Sequence, residues 1–571
     1  MSELQAFFES YYRLRPVNAT FTGVHDHDHR LPDWSPDGLE SAVDEMGKCS
    51  AGLSADRCSG RPSGRPSDGL KPVAYLNTDT RSVEVVERDR ALALSFLDIQ
   101  IAEHESLHFQ RGNPSLAIGE AAFGVISLMT RPFADASVRA RAAAARLAAT
   151  RSFLDGAKRA IANGVPIQWR DKCVRECQGV ALLLGDGITR WISVESIPPA
   201  LADDLADAAR AAAAAVEEFR GWLERDARVA PADRYASGPD LFDLLISRGH
   251  WSDRTRRDLA AEAASALDEA LARVQERART VAPGGWPEIQ QRLADAHPTT
   301  ADYLSTYQRI WDACRQRADE MDLVTWPDYP IRYVPIPVHT RTAAPFLYYL
   351  FYRSPAPFDR PATHDYVVTP IDDDMDAAEQ DRRLRATNTS VITLNHVVHH
   401  GAIGHHVQNY YAYRGASEIG RVAAVDCASR IGMFLGGTMA EGWACYATDL
   451  MDECGFLTPE ESVSQQHTRA RLLARAVVDI GLHERSMDFD AAVAVYRDRI
   501  GMPHQAAVGE ACKNSMFPGT ALMYWLGTDG IHALRRDRER IEGSAFSRRR
   551  FHDRLLSYGS IPVPLIARIW S

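Results

Sequence analysis

The segment VITLNHVVHHGAIGHHVQ, residues 391–408, places five histidines (His396, His399, His400, His405 and His406) within eleven residues and contains no Asp or Glu. Imidazoles at that density point to a metal ion, because histidine is the commonest metal ligand among side chains. On an unbroken α-helix, residues four apart differ by about 40° in direction and can share one ion. His396 and His400 meet that condition. They give HVVHH, the spacing of an HExxH zinc protease with Val397 where the general-base glutamate would stand. His399 and His405 lie six apart, about 240° round an ideal helix, and share an ion only if the helix breaks between them. Gly401 and Gly404 are placed to permit that break. Residue type and spacing leave both frames open.

The elements that must position these imidazoles are mostly helices. Residues 136–164, 199–226 and 255–278 are rich in strong helix formers, with apolar residues at three- and four-residue spacing. Thr458, Pro459 and Glu461 form a capping-box pattern that predicts the start of the helix carrying HTRARLLARAVVDIGLH. Strand signals are few: Ile331–Val338 and His364–Ile371 are β-branched and aromatic, with prolines suited to an edge. They precede the histidines closely, so a small sheet beside the metal helix is expected, in a position to hold an extended ligand by edge pairing. The expected layout is a single multi-lobed helical domain over 1–571, with the active-site core at 330–535. The low-complexity stretch GRPSGRPSDG, residues 60–69, reads as a flexible loop.

Bulk properties narrow the function classes. Apolar content of 45% and charged content of 25% are those of an ordinary globular chain, and a net charge of −11 argues against nucleic acid or an anionic membrane as partner. No apolar run is long enough to span a membrane. The nine cysteines, an odd number without a small-domain framework, and an N-terminus that reads as a first helix suggest a reduced, cytoplasmic setting. Cys173 and Cys177 read as half-buried thiols, His25 to His29 as a solvated or helix-capping segment, and Trp443 as core.

Several segments together carry a family likeness. HHGAIGHHVQ resembles the H-E-x-x-P-G-H-x-x-Q segment of the bacterial domain-of-unknown-function 885 family. AEGWACYATDLMDECGF resembles that family's E-G-W-A-x-Y helix and places Glu441 and Trp443. VVDIGLH resembles its D-T-G-x-H element, and PGTALMYWLG its P-G-Q-A-x-x-Y-x-x-G element. Near the start, NATFTGVHDHDHRLPDWS matches at Ala19, Thr20 and Gly23.

The resemblance implies a mainly α, large bilobed helical fold with a deep cleft, similar to carboxypeptidase Taq and angiotensin-converting-enzyme-like zinc peptidases. It implies a zinc ion on His399, His405 and Glu441, with a position left open for water. Gly442 would let the Glu441 helix approach the histidine helix closely. The departures concern catalysis: the family's general-base glutamate is His400 here, its proline is Ile403, its Arg-Tyr pair is Lys513-Asn514, and the glutamine of P-G-Q is Thr520. His400, Asp479, His483 and Tyr524 are the candidate catalytic residues, with Glu510 as a further possible base. The expected activity is metal-dependent hydrolysis of an amide in a small peptide or peptide-like metabolite. The alternative is a non-hydrolytic, lyase-like metalloenzyme or a binding protein on the same fold.

Overall fold

The computed structural model describes residues 2–55, 82–161, 163–347, 354–372, 374–425 and 429–570. The expected loop at 60–69 lies outside them. The described chain is mainly helical, and its only sheet among the described residues has two strands, β1 (Ile331–Pro335) and β2 (His364–Val368). They run parallel in the register Ile331↔His364 to Pro335↔Val368.

Local sequence accounts for where the long helices begin. Ser2 and Gln5, Thr255 and Asp258, and Thr458 and Glu461 each close a capping box, opening the helices Glu3–Leu14, Arg256–Val281 and Pro459–Glu484. Each such cap stabilises its helix by about 1 kcal/mol. The alanine-rich stretches form Ala136–Ala160 and Pro199–Arg225, which bury small residues against one another.

Two large apolar cores organise the molecule. One gathers Phe7, Phe96, Tyr307, Val397, Val398 and Trp443, and so surrounds the histidine segment. The other lies among the helices Pro114–Met129, Ala136–Ala160, Ile167–Leu182 and Pro199–Arg225. Cys173 and Cys177 sit within this second core and are fully buried rather than half-buried. Their four-residue spacing turns both thiols onto the same inward face of a helix.

The sheet lies against the histidine segment as its position in the chain suggested. From β2, the Tyr366 hydroxyl pairs with His396 Nδ1 at 2.9 Å, and His364 meets His406, Nδ1 to Nδ1, at 3.0 Å. The chain beyond residue 535 folds back over the same region. His552, in the helix Arg548–Ser557, binds the Tyr446 hydroxyl at 2.8 Å through Nε2 and donates from Nδ1 to the Leu323 carbonyl.

Candidate metal centre and its chamber

The histidine segment is wound wide. Residues Ile392–Gly401 form a π-helix, a form that usually occurs as a single-turn bulge and concentrates at functional sites. The winding ends at Ala402 to Gly404, and a new helix, His405–Ala412, starts with His405. At Gly404 an added Cβ would run into the His399 carbonyl, so the tight return depends on glycine there. The break opens backbone carbonyls that two buried indoles then cover. Trp311 Nε1 donates to the Gly401 carbonyl at 2.7 Å. Trp443 Nε1 donates to those of Ile403 at 2.8 Å and Gly404 at 3.2 Å. Trp443 is fully buried, as expected of a core residue.

Broken in this way, the segment brings His399 and His405 to one point and turns His396 and His406 elsewhere. His396 is committed to Tyr366. His406 donates from Nε2 to the Tyr329 carbonyl at 2.8 Å and stacks on the Tyr329 ring. Burial lowers the pKa of both to about 4. The HVVHH frame is therefore not the one assembled. His399, His400 and His405 cluster instead, with one ligand atom from each within 4.8 Å of the others.

Glu441 enters from the helix Gly437–Glu453. Its Oε2 lies 3.4 Å from His399 Nε2 and 3.6 Å from His405 Nε2. These spacings exceed an ordinary hydrogen bond. They match the separation of about 3.4 Å between ligand atoms that bind one tetrahedral zinc at 2.0–2.2 Å. The protonation states fit as well. Burial lowers the pKa of His399, with Glu441 opposing, which favours the neutral imidazole. Burial works against ionisation of Glu441, yet contact with the two imidazoles holds it well below the usual carboxylate range. Neutral imidazoles and an ionised carboxylate are what a divalent ion requires.

Gly442 does not perform the service expected of it. An added Cβ there would meet Gly527 Cα and C at 2.5 Å, so its close approach is to the helix Leu522–Glu542 and not to the histidine helix. One residue along a helix turns the direction by about 100°, which points Gly442 away from the face that Glu441 uses. Trp443 supplies the link to the histidine segment instead.

His405 and Glu441 line a small pocket of about 100 Å³ together with Arg475, Lys513, Asn514 and Tyr524. Lys513 and Phe517 also line a neighbouring chamber of about 590 Å³. Most of that chamber's wall comes from residues before 180, among them Arg15, Gln100, Glu120 and Arg175, so the expected core at 330–535 holds the cluster but only part of the cavity. Glu103 and Arg430 pair on the chamber wall at 2.6 Å. Burial raises the Glu120 pKa to about 7, with Arg146 and Arg15 opposing.

The other candidate residues separate by position. Tyr524 faces the small pocket, and the Arg475 guanidinium lies 5.6 Å from its ring centre. Asp479 and His483 are fully buried and line neither cavity. Asp479 accepts from the Gly519 and Ala521 amides, each at 3.0 Å, and so fixes the turn that carries Thr520 and Ala521 into the pocket wall. His483 accepts the Ser237 amide at Nδ1 and donates from Nε2 to the Asn514 carbonyl at 2.9 Å. Glu510 is bound to Arg475 at 2.6 Å. Burial opposes its ionisation, but Arg475 brings its pKa down to about 2, which makes it a poor base. The sequence reading missed Arg475, Trp311 and the chamber's Glu103–Arg430 pair. Arg475 alone left a signal, one helical turn before Asp479.

These features define a mainly helical protein with a partly buried His/Glu centre beside a chamber. The chain belongs to the family of bacterial proteins of unknown function designated DUF885, whose profile matches residues 16–569. Two solved structures share the fold. One, from Shewanella oneidensis, is 19% identical with a TM-score of 0.73, covering 100% of this chain and 98% of its own. The other, from Colwellia psychrerythraea, is 17% identical with a TM-score of 0.73, covering 99% and 97%. No curated protein matches the chain. Both neighbours are described as a "putative lipoprotein", the first "of unknown function", and this overturns the cytoplasmic expectation. The cysteine argument fails for a physical reason. Of the seven cysteines described as free thiols, six are buried, and thiols shielded from oxidants do not report on the compartment.

Proposed function

We propose that the protein is a metal-dependent, hydrolase-like enzyme acting on an amide bond of a small peptide or peptide-like metabolite. The observation that carries this reading is the approach of Glu441 to both His399 and His405 at ligand spacing, beside a pocket that His405 and Glu441 line and that adjoins a larger chamber. Zinc suits two imidazoles and a carboxylate, and when bound it polarises a carbonyl and lowers the pKa of water.

The remaining roles belong to the chain. Tyr524 and Arg475 face the pocket as donors for charge developing on an amide oxygen. Lys513, at the junction of the two cavities, orients the substrate body. A chamber of about 590 Å³ is of the size that holds a small ligand and not a folded protein. Asp479 and His483 act as positioning residues, holding the 519–521 turn and the Asn514 backbone. The broader likeness to zinc peptidases belongs to this same reading.

One observation favours the non-hydrolytic alternative: Glu441 is the only acid lining the small pocket among the described residues, and imidazole stands where a general-base glutamate was expected. The two readings are separated by incubating zinc-loaded protein and His399→Ala with a panel of acylated di- and tripeptides in ¹⁸O-water. Zinc-dependent products that carry ¹⁸O, absent with the variant, support hydrolysis. Cleavage without incorporation of water supports the lyase-like reading. Substrate binding without any product supports a binding protein.

A further inference from the structure

We propose that His400 is a third imidazole ligand of the ion that His399 and His405 bind, so that the site is a three-histidine centre with Glu441 against two of the imidazoles, and not a two-histidine peptidase site with a substituted base. This rests on the metal-centre reading above. One ligand atom from each of His399, His400 and His405 lies within 4.8 Å of those of the other two. The His400 and His405 rings are nearly parallel, 26° apart with centroids at 5.4 Å, and the His399 and His400 centroids are 4.7 Å apart.

Adjacent residues on an ordinary α-helix diverge by about 100° and do not share an ion. Here the break at 402–404 folds His405 back across both His399 and His400, with ring centroids at 4.9 and 5.4 Å. The geometry that admits His405 to the cluster therefore admits His400 as well.

The chemical consequence is specific. Three imidazoles and a carboxylate fill all four positions of a tetrahedral ion and close it to water. An ion that accepts five or six ligands keeps an open position. Imidazole-rich sites suit iron, nickel and copper as well as zinc. His400 thus serves as a ligand and not as the proton acceptor, and the hydrolysis proposed above needs a fifth position for water, which zinc reaches by expanding its coordination.

The test is spectroscopic and needs no substrate. Apo-protein loaded with Cu²⁺ is examined by pulsed electron paramagnetic resonance, which counts coordinated imidazoles, for wild type and His400→Ala. Zinc affinity is measured alongside. The expected result is three imidazoles in wild type and two in the variant, with a zinc affinity loss greater than the roughly 10–100-fold typical of residues that only support a ligand. Two imidazoles in wild type overturn the assignment and leave the metal-centre reading standing. A wild type that binds neither Cu²⁺ nor Zn²⁺ overturns both. If the alanine variant does not fold, the wild-type count decides by itself.

Discussion

Replacing Trp443 with phenylalanine tests how the centre is held together. The indole Nε1 donates to the Ile403 carbonyl at 2.8 Å and the Gly404 carbonyl at 3.2 Å, just before His405. Gly404 keeps a second donor, the Gln408 amide at 3.1 Å, so the loss falls mainly on Ile403, which is fully buried. A buried acceptor deprived of its donor costs about 1–3 kcal/mol. The smaller ring adds about 1 kcal/mol for the gap it leaves. Together these give a destabilisation of about 2–4 kcal/mol. The break joins the helix that carries His399 to the one that His405 starts, so metal affinity should also fall by about 10–100-fold, as for other residues that orient a ligand. Urea unfolding of the apo-protein gives the first quantity and competitive zinc titration the second. An unfolding free energy within about 0.5 kcal/mol of wild type, with unchanged affinity, would refute the bracing role.

Three further perturbations probe separate parts of the account. Gly442→Ala places a Cβ 2.5 Å from the Gly527 backbone and should cost about 1–3 kcal/mol while weakening metal binding by shifting Glu441. Gly509→Ala, in the open within a helix, should be neutral or stabilising by about 0.5–1 kcal/mol in the same denaturation assay. Asp479→Asn turns an NH₂ group towards an amide donor that the carboxylate now accepts, so stability should fall by about 1–3 kcal/mol. If Asp479 only positions the pocket wall, metal content should stay intact in that variant, which elemental analysis checks.

His25 sits between Asp28 at 2.8 Å and Asp359 at 2.9 Å. Burial opposes its charging, but the two carboxylates raise its pKa to about 9. A pKa raised above the unfolded value near 6.5 means that this contribution is fully present below about pH 6.5 and is lost as pH rises through about 9. Wild type should therefore lose stability over that window more steeply than His25→Gln, and parallel pH profiles would contradict the assignment.

What the sequence disclosed and what it hid follow from the range of the forces involved. Capping boxes and alanine-rich periodicity are local, so the helix beginning after Thr458 and the long helices of the second core could be read directly. The glycine pair at 401 and 404 announced a break, and the structure places one there. The indoles of Trp311 and Trp443 that stabilise it reach across the fold, and no local pattern encodes such a contact. Gly442 was assigned the wrong partner because a glycine advertises a close approach without naming the neighbour. The family likeness implied a deep cleft but not which residues line it, since the chamber's walls come from helices hundreds of residues apart. Asp479 and His483 were legible as unusual residues, but their full burial and backbone partners emerge only in three dimensions.

The central claim is that His399, His405 and Glu441 share one ion. Elemental mass spectrometry of protein purified without added metal, compared with His399→Ala and Glu441→Ala at matched helix content, tests it most directly. The account predicts one divalent ion per chain in wild type and none in either variant. A folded wild type that carries no metal and takes up none on titration would contradict it.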